Sequence, residues 1–298
     1  MPHALPKRAL PKCPICLQTG DQKFEINCHP IYECPACQHR YIGTNLSPTH
    51  VDEQYSDDYF TAGNAGYDNY LANRPLVEDH SRRYAAMIDG FHSQPGRCFA
   101  IGAAAGFDLV GFDERDWDVE GLEPNATMCR HAAEVLGFKL LHTSLESLDL
   151  QPQAPPFQLV LAIQVMAHFV DPRVAADKMS KLLSDDGLLL IETWNYRSIT
   201  SRVWGKHWHE YSPPTVVQWF SPASLEKLMQ QFQLTKVASG RPKKFIYGHH
   251  ATSLLRYKLT SIPGMKLMTP LLSLIPDKMK IPYPSEDLFW MLFRRASS

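Results

Sequence analysis

Cys13-Pro-Ile-Cys16 and Cys34-Pro-Ala-Cys37, with seventeen residues between the pairs, constrain this chain more than any other feature. Two residues between cysteines let both thiolates of one turn reach a single ion at about 2.3 Å, and two such turns complete a tetrahedron. Four thiolates form a closed shell with no position for water, so the spacing predicts a structural zinc held by Cys13, Cys16, Cys34 and Cys37. Residues 1–48 are otherwise rich in Cys and Pro without sustained periodicity, as expected of a small unit held by a metal in place of a core. Cys28, His29 and His39 lie close by and are read as spectators, because using Cys28 would break the paired spacing. Leu17 and Gln38, not glycine, follow the two turns, so backbone strain is expected there.

From about residue 75 the texture changes. Short apolar runs alternate with segments of 3.6-residue period, the pattern of a parallel sheet covered by helices. Strands are expected at 98–102, 118–123, 139–142, 158–163, 188–193, 234–237 and 288–293. A polar helix is expected from about 75 to 90. Another follows Pro124-Asn125, with Ala126, Cys129, Ala133 and Leu136 on one face and Gly137 at its end. A third starts at Asp171-Pro172 and runs to Asp186-Gly187, and a fourth starts at Ser221-Pro222. The division that results is a zinc-ribbon unit over 1–48, an aromatic and helical connector over 49–95 carrying Tyr55, Tyr59, Phe60, Tyr67 and Tyr70, and an α/β domain over 96–298. About fifty residues separate the last two strands, which is long for a hairpin, so 241–286 reads as an inserted cap.

Charge narrows the class of partner. Thirty Lys+Arg nearly cancel 31 Asp+Glu, which argues against a nucleic-acid partner. Residues 241–298 hold ten Lys/Arg and three Asp/Glu, a local +7, leaving −8 for residues 1–240. In the insertion Lys243, Lys244, Arg256, Lys258, Lys266, Lys278 and Lys280 are interleaved with Leu254, Leu255, Leu267, Met268, Leu271, Leu272 and Ile275. One reading is helices packed on the domain with solvated charges. The other is a cap whose basic rim recruits an anionic or lipid-linked acceptor, with peripheral contact to a membrane surface. No apolar run approaches the ~18 residues of a membrane span, and residues 1–12 lack the apolar stretch of a signal peptide. The expected compartment is the cytoplasm, with thiols reduced.

Gly102-Ala-Ala-Ala-Gly106 follows the first strand of the α/β region, and Glu123 ends the second. Such a turn lets a ligand approach the backbone, and such a carboxylate accepts the two hydroxyls of a ribose. The spacing of a dinucleotide site, G-x-G-x-x-G, is absent. Small residues at a strand-to-helix corner also satisfy close packing, so both readings stand on these residues alone.

With these features in order, the chain resembles the class I S-adenosylmethionine-dependent methyltransferases, and among them those with an N-terminal zinc ribbon that act on small molecules such as sugar or secondary-metabolite precursors. The landmarks are the two cysteine pairs, Tyr59-Phe60, the 102–106 turn, Leu122-Glu123-Pro124, the stretch from Val165 to Pro172, Leu190-Ile-Glu-Thr-Trp-Asn195, the Trp208 to Ser221 segment and a terminal strand at Asp287-Leu288. The resemblance implies a seven-stranded Rossmann-like sheet with its last strand antiparallel. It further implies a cofactor, S-adenosylmethionine, against Gly102, Ala104, Gly106, Glu123, Pro124 and Gln164, and methyl transfer as the reaction. His168, just past the fourth strand, is the first candidate base by position. His209 and Tyr211 lie in the loop where substrate-facing residues of that family sit. The chain departs from the pattern at Ala100, Ala104, Gln158 and Ala167, where an acidic residue, a glycine, an aspartate and a glutamate are usual. The missing acid at 100 removes one partner for the cofactor's charged methionine portion. A ribosomal RNA methyltransferase is the first alternative, but it predicts a basic ribbon, and residues 1–50 carry only five Lys/Arg against three Asp/Glu. The second is a non-catalytic binding protein on the same fold.

Overall fold

In the computed structural model, which describes residues 11–47, 49–61, 70–92, 94–150, 155–248, 251–252, 272, 275–276 and 279–295, the apolar runs become strands of one sheet. The N-terminal strands are β1 (Asp21–Ile26), β2 (His29–Glu33) and β3 (Arg40–Ile42). The central set is β4 (Arg97–Ile101), β5 (Asp118–Glu123), β6 (Leu140–His142), β7 (Phe157–Ile163) and β8 (Leu183–Trp194). The two-residue β9 (Gln218–Trp219) precedes β10 (Leu234–Gly240), β11 (Lys244–Tyr247), β12 (Lys280–Tyr283) and β13 (Leu288–Arg295). The helices are α1 (His50–Gln54), α2 (Asp57–Thr61), α3 (Arg74–Ile88), α4 (Val110–Asp113), α5 (Ala126–His131), α6 (Pro172–Leu182), α7 (Ile199–Trp204) and α8 (Pro222–Gln230).

Seven strands form one sheet in the order β10-β13-β8-β7-β4-β5-β6. β6, β5, β4, β7 and β8 pair in parallel, whereas β13 runs antiparallel to both β8 and β10. This is the expected Rossmann-like arrangement with a reversed last strand. The central strands are buried along nearly their whole length, Leu159 to Ala162 and Leu188 to Ile191 being at most 1% exposed. That is why they read as unbroken apolar runs and not as an alternation.

Local signals held where the chemistry is local. Asp171 caps α6 by accepting from the N–H groups of Arg173 and Val174, and Ser221 and Ser224 cap α8 reciprocally. Two expectations need correction. α6 stops at Leu182, not at Asp186-Gly187. Pairing with β7 draws Leu183 onward into β8, with a register shift between Phe157 and Leu159. Gly187 lies in that irregular stretch, where a Cβ would come within 2.9 Å of the Phe157 carbonyl. After Asn125 the buried positions are Met128 and Ala132, while Ala126 and Ala133 face solvent. There α5 passes into a π-helical turn at Ala132–Leu136, which gives more residues per turn than the period assumed.

The ribbon strands do not end in a sheet of their own. β9, contributed by the segment that follows α7, pairs antiparallel with β3 through Arg40↔Trp219 and Tyr41↔Gln218, giving the sheet β1-β2-β3-β9. Cys13, Ile15, Cys34 and Cys37 share one buried cluster with Met179 of α6 and Leu225 of α8. Within the insertion the described residues form a β11–β12 hairpin. Tyr67, Leu254, Leu255, Arg256, Lys258, Lys266, Leu267, Met268, Leu271 and Lys278 lie outside the described residues. No helix of the described residues is long and apolar enough to cross a membrane.

Candidate active site

Parallel strands that end at one edge leave a crevice where the turns diverge, and here a cavity of about 540 Å³ opens at the carboxyl ends of β4, β5, β7 and β8. Its first wall is the turn after β4. Gly102 and Gly106 have φ of 65° and 80°, and Ala104 has 46°. The left-handed alanine is strained relative to glycine, and its methyl joins the buried cluster of Phe60, Tyr70, Phe107 and Met128. Glu123 is 2% exposed. Its two oxygens accept from the N–H groups of Ala104 at 2.9 Å and Asn125 at 2.8 Å, so the strand end and the turn are tied together. Burial pushes the Glu123 carboxyl up to about 7, opposed by those two hydrogen bonds.

Of the residues singled out in the sequence, Gly102, Ala104, Glu123, Pro124, Gln164, His168 and His209 line this one cavity. His168 has Nδ1 2.8 Å from the Thr215 carbonyl, which assigns the ring proton to Nδ1. Burial pulls its pKa down, so the ring is neutral near pH 7. The His209 ring lies edge-on to Trp194 at 5.0 Å, with Nε2 3.4 Å from Glu210. Tyr55, Tyr59, Trp194 and Tyr283 complete an aromatic wall.

Two candidates lie elsewhere. Gly106 is not on the cavity; it starts the turn into Phe107–Leu109, and a Cβ there would sit 3.1 Å from Phe138. Tyr211 is 5% exposed in a cluster with Trp208 and Trp219, and its hydroxyl accepts from the Arg40 guanidinium of β3. Its ring packs in that cluster and its hydroxyl is engaged by β3, so it does not line the cavity with His168 and His209. Tyr211→Phe should lower stability by roughly 1–3 kcal/mol, the cost of leaving a largely buried charged donor without that acceptor. Cofactor affinity should not change; chemical denaturation and titration calorimetry separate the two.

Sequence reading missed a buried polar network beneath the cavity. Glu192 of β8 is fully buried and accepts from His80 Nε2 at 2.8 Å, Gln164 Nε2 at 2.6 Å and the Tyr84 hydroxyl. Lys244 of β11 stands 3.4 Å away. Burial alone would raise the Glu192 carboxyl, but Lys244, His80 and Tyr84 together hold it well below its ordinary range. Lys244 is therefore committed to an internal carboxylate and is not a free rim cation. Burial also raises Glu210 to about 8, reinforced by Asp287, and Asp108 to about 6; both line the cavity. A lone acid in the run Leu188 to Thr193 was the available signal, since a carboxylate in a doubly covered strand requires partners.

The four cysteines converge. Cys13 and Cys37 sulfurs are 3.4 Å apart and Cys16 and Cys34 sulfurs 3.3 Å, with all four within 4.8 Å of one another. A tetrahedron with ~2.3 Å metal–sulfur bonds has edges of about 3.8 Å, so the donor set fits zinc with a small expansion. The hydrogen bond from Cys13 and then burial push the Cys37 thiol up. A divalent cation at the centre is what would keep all four deprotonated. Leu17 and Gln38 have φ of 62° and 56°, the strain anticipated after each turn. Cys28 is exposed, His29 contacts Thr44, and His39 contacts Gln218, leaving them outside the cluster.

Residues 73–239 match a family model described as a methyltransferase domain. No curated protein matches the chain. Among solved structures, similar folds include the 1,6-didemethyltoxoflavin-N1-methyltransferase of Burkholderia thailandensis, determined with 1,6-didemethyltoxoflavin and S-adenosylhomocysteine bound. It is 13% identical with a TM-score of 0.52, over 93% of this chain and 100% of that one. A possible histamine N-methyltransferase of Thermotoga maritima is 16% identical with a TM-score of 0.50, over 84% and 100%. The magnesium protoporphyrin IX methyltransferase of Synechocystis, with S-adenosylhomocysteine bound, is 13% identical with a TM-score of 0.50, over 80% and 97%.

Proposed function

The chain belongs to the methyltransferase-domain family and is an S-adenosylmethionine-dependent methyltransferase of the class I fold, and we propose that its acceptor is a small organic molecule held in the aromatic-walled cavity beside Glu123. The observation that carries this reading is that carboxylate. It is buried and fixed by two backbone N–H groups at the turn after β4, and it faces the cavity that also holds His168 and His209. S-adenosylmethionine, when bound, supplies a methyl group on a sulfonium. Glu123 would accept the two ribose hydroxyls, the left-handed backbone at Gly102 and Ala104 would allow close approach, and Gln164 is held in place by Glu192. The remaining task of the protein is to align the acceptor and exclude water. His168 is the assigned base, its ring set on the cavity wall by the Thr215 carbonyl at Nδ1 and by the backbone of Gln164. His209 is the second choice, beside Glu210.

A small acceptor suits a cavity of this volume, and the fold neighbours named for didemethyltoxoflavin and magnesium protoporphyrin IX take small organic molecules. The four-cysteine cluster is assigned to one structural zinc. Titration calorimetry with S-adenosylmethionine and S-adenosylhomocysteine is the direct test: one site per chain for each is expected, and no binding of either removes the reading.

A further inference from the structure

Arg83 lies on α3 nearly one turn after His80 and lines the same cavity. It is half-buried, and its Nε is sealed from solvent without an acceptor among the described residues. Three neighbouring cations are engaged. Arg82 pairs with Glu78, Asp79 and Glu114, Lys280 with Asp79, and Lys244 with Glu192. Arg83 differs from them in having no ion pair among the described residues; its guanidinium rests 5.6 Å from the centroid of the Phe245 ring on β11. A guanidinium is five donors in a rigid fork with no acceptor. Held beside an aromatic ring at the cavity, it carries donors with no acceptor among the described residues, the chemistry that suits an oxyanion.

We propose that Arg83 is the anion seat of this cavity, its guanidinium binding a carboxylate or phosphate group of a bound ligand. The identity of that ligand rests on the methyltransferase reading. The anion has two sources: the amino-acid carboxylate of the cofactor and an acidic group on the acceptor. Placement favours the acceptor. Phe245 belongs to the hairpin between β10 and β13, at the opposite side of the sheet from β5, which carries Glu123. An acidic acceptor would also account for an arginine that makes no ion pair among the described residues and feels Asp79 only at longer range.

The test compares wild type with Arg83→Gln and Arg83→Lys, and with Arg82→Gln as a control on the same helix, using the full chain. Three probes are used: S-adenosylhomocysteine, 5′-methylthioadenosine, which keeps the nucleoside and thioether but lacks the amino-acid portion, and inorganic phosphate followed by ³¹P NMR. If the seat serves the acceptor, phosphate binds protein saturated with S-adenosylhomocysteine, and Arg83→Gln weakens it by about tenfold or more, as expected for charged hydrogen bonds. Arg83→Lys, with the charge but not the fork, falls between. If the seat serves the cofactor, Arg83→Gln weakens S-adenosylhomocysteine by a similar factor and leaves methylthioadenosine unchanged, which upholds the seat and names the source. All three affinities unchanged in Arg83→Gln, or matched by Arg82→Gln, overturn the proposal. Should neither nucleoside bind wild type, the methyltransferase reading fails, and phosphate titration of the unloaded protein still decides the role of Arg83.

Discussion

Replacing Glu123 with alanine should weaken S-adenosylhomocysteine binding by about a hundredfold. Two ribose hydroxyls lose a charged acceptor, at about 1.5 kcal/mol each as a lower figure, and 1.4 kcal/mol is tenfold. The same change strips the N–H groups of Ala104 and Asn125 of their partners, so the turn that receives the cofactor loosens as well. Glu123→Gln preserves the shape and separates lost charge from lost geometry. The pH dependence has a definite sign. Burial raises this carboxyl from 4.5 to about 7 in the folded protein, so without ligand the folded state loses stability as pH rises from 4.5 through 7. Hydroxyls that donate to the carboxylate favour its ionised form, so affinity should rise about tenfold between pH 6 and pH 8 and then level off. Calorimetry across that range checks this. A flat profile, or an unchanged dissociation constant in a folded Glu123→Ala, would place the ribose elsewhere.

Removing the metal should unfold residues 11–43 outright and disturb the wall of the cavity beyond them. A structural zinc in such a unit contributes on the order of 10–16 kcal/mol at neutral pH, as much as or more than the ~5–15 kcal/mol by which whole domains are stable. The damage should not stop at the ribbon. β3 pairs with β9, Arg40 donates to Tyr211, and His39 contacts Gln218 at 2.8 Å. The Trp219 indole in turn donates to the Glu210 carbonyl at 2.7 Å. Chelation should therefore raise hydrogen exchange at 11–43 and at 208–219 together and alter the fluorescence of Trp208 and Trp219. The turn after β4 and Glu123 lie on other strands, so S-adenosylhomocysteine should still bind. Cys34→Ser should reproduce the effect and Cys28→Ser should not. Metal analysis finding no zinc, or exchange unchanged after chelation, would refute the assignment.

The sequence by itself determined whatever depends on neighbours in the chain. Two cysteines three apart share a turn whatever surrounds them, so the convergence of Cys13, Cys16, Cys34 and Cys37 was legible, as was the left-handed backbone after each pair. Caps at Asp171 and Ser221 act within three residues. The carboxylate ending β5 follows from strand length and the turn before it. Tertiary structure decided what depends on groups brought together from far along the chain. Tyr211 packs away from the cavity, its hydroxyl accepting from Arg40, 171 residues away. Glu192 can be buried because His80 and Tyr84, more than a hundred residues earlier, donate to it. Lys244, for which the sequence left open a solvated charge or a basic rim, instead faces that same carboxylate. α6 ends at Leu182 because β7 offers Leu183 a strand to pair with. In each case a buried charge or an open strand edge would be costly alone, and only a partner remote in sequence removes the cost.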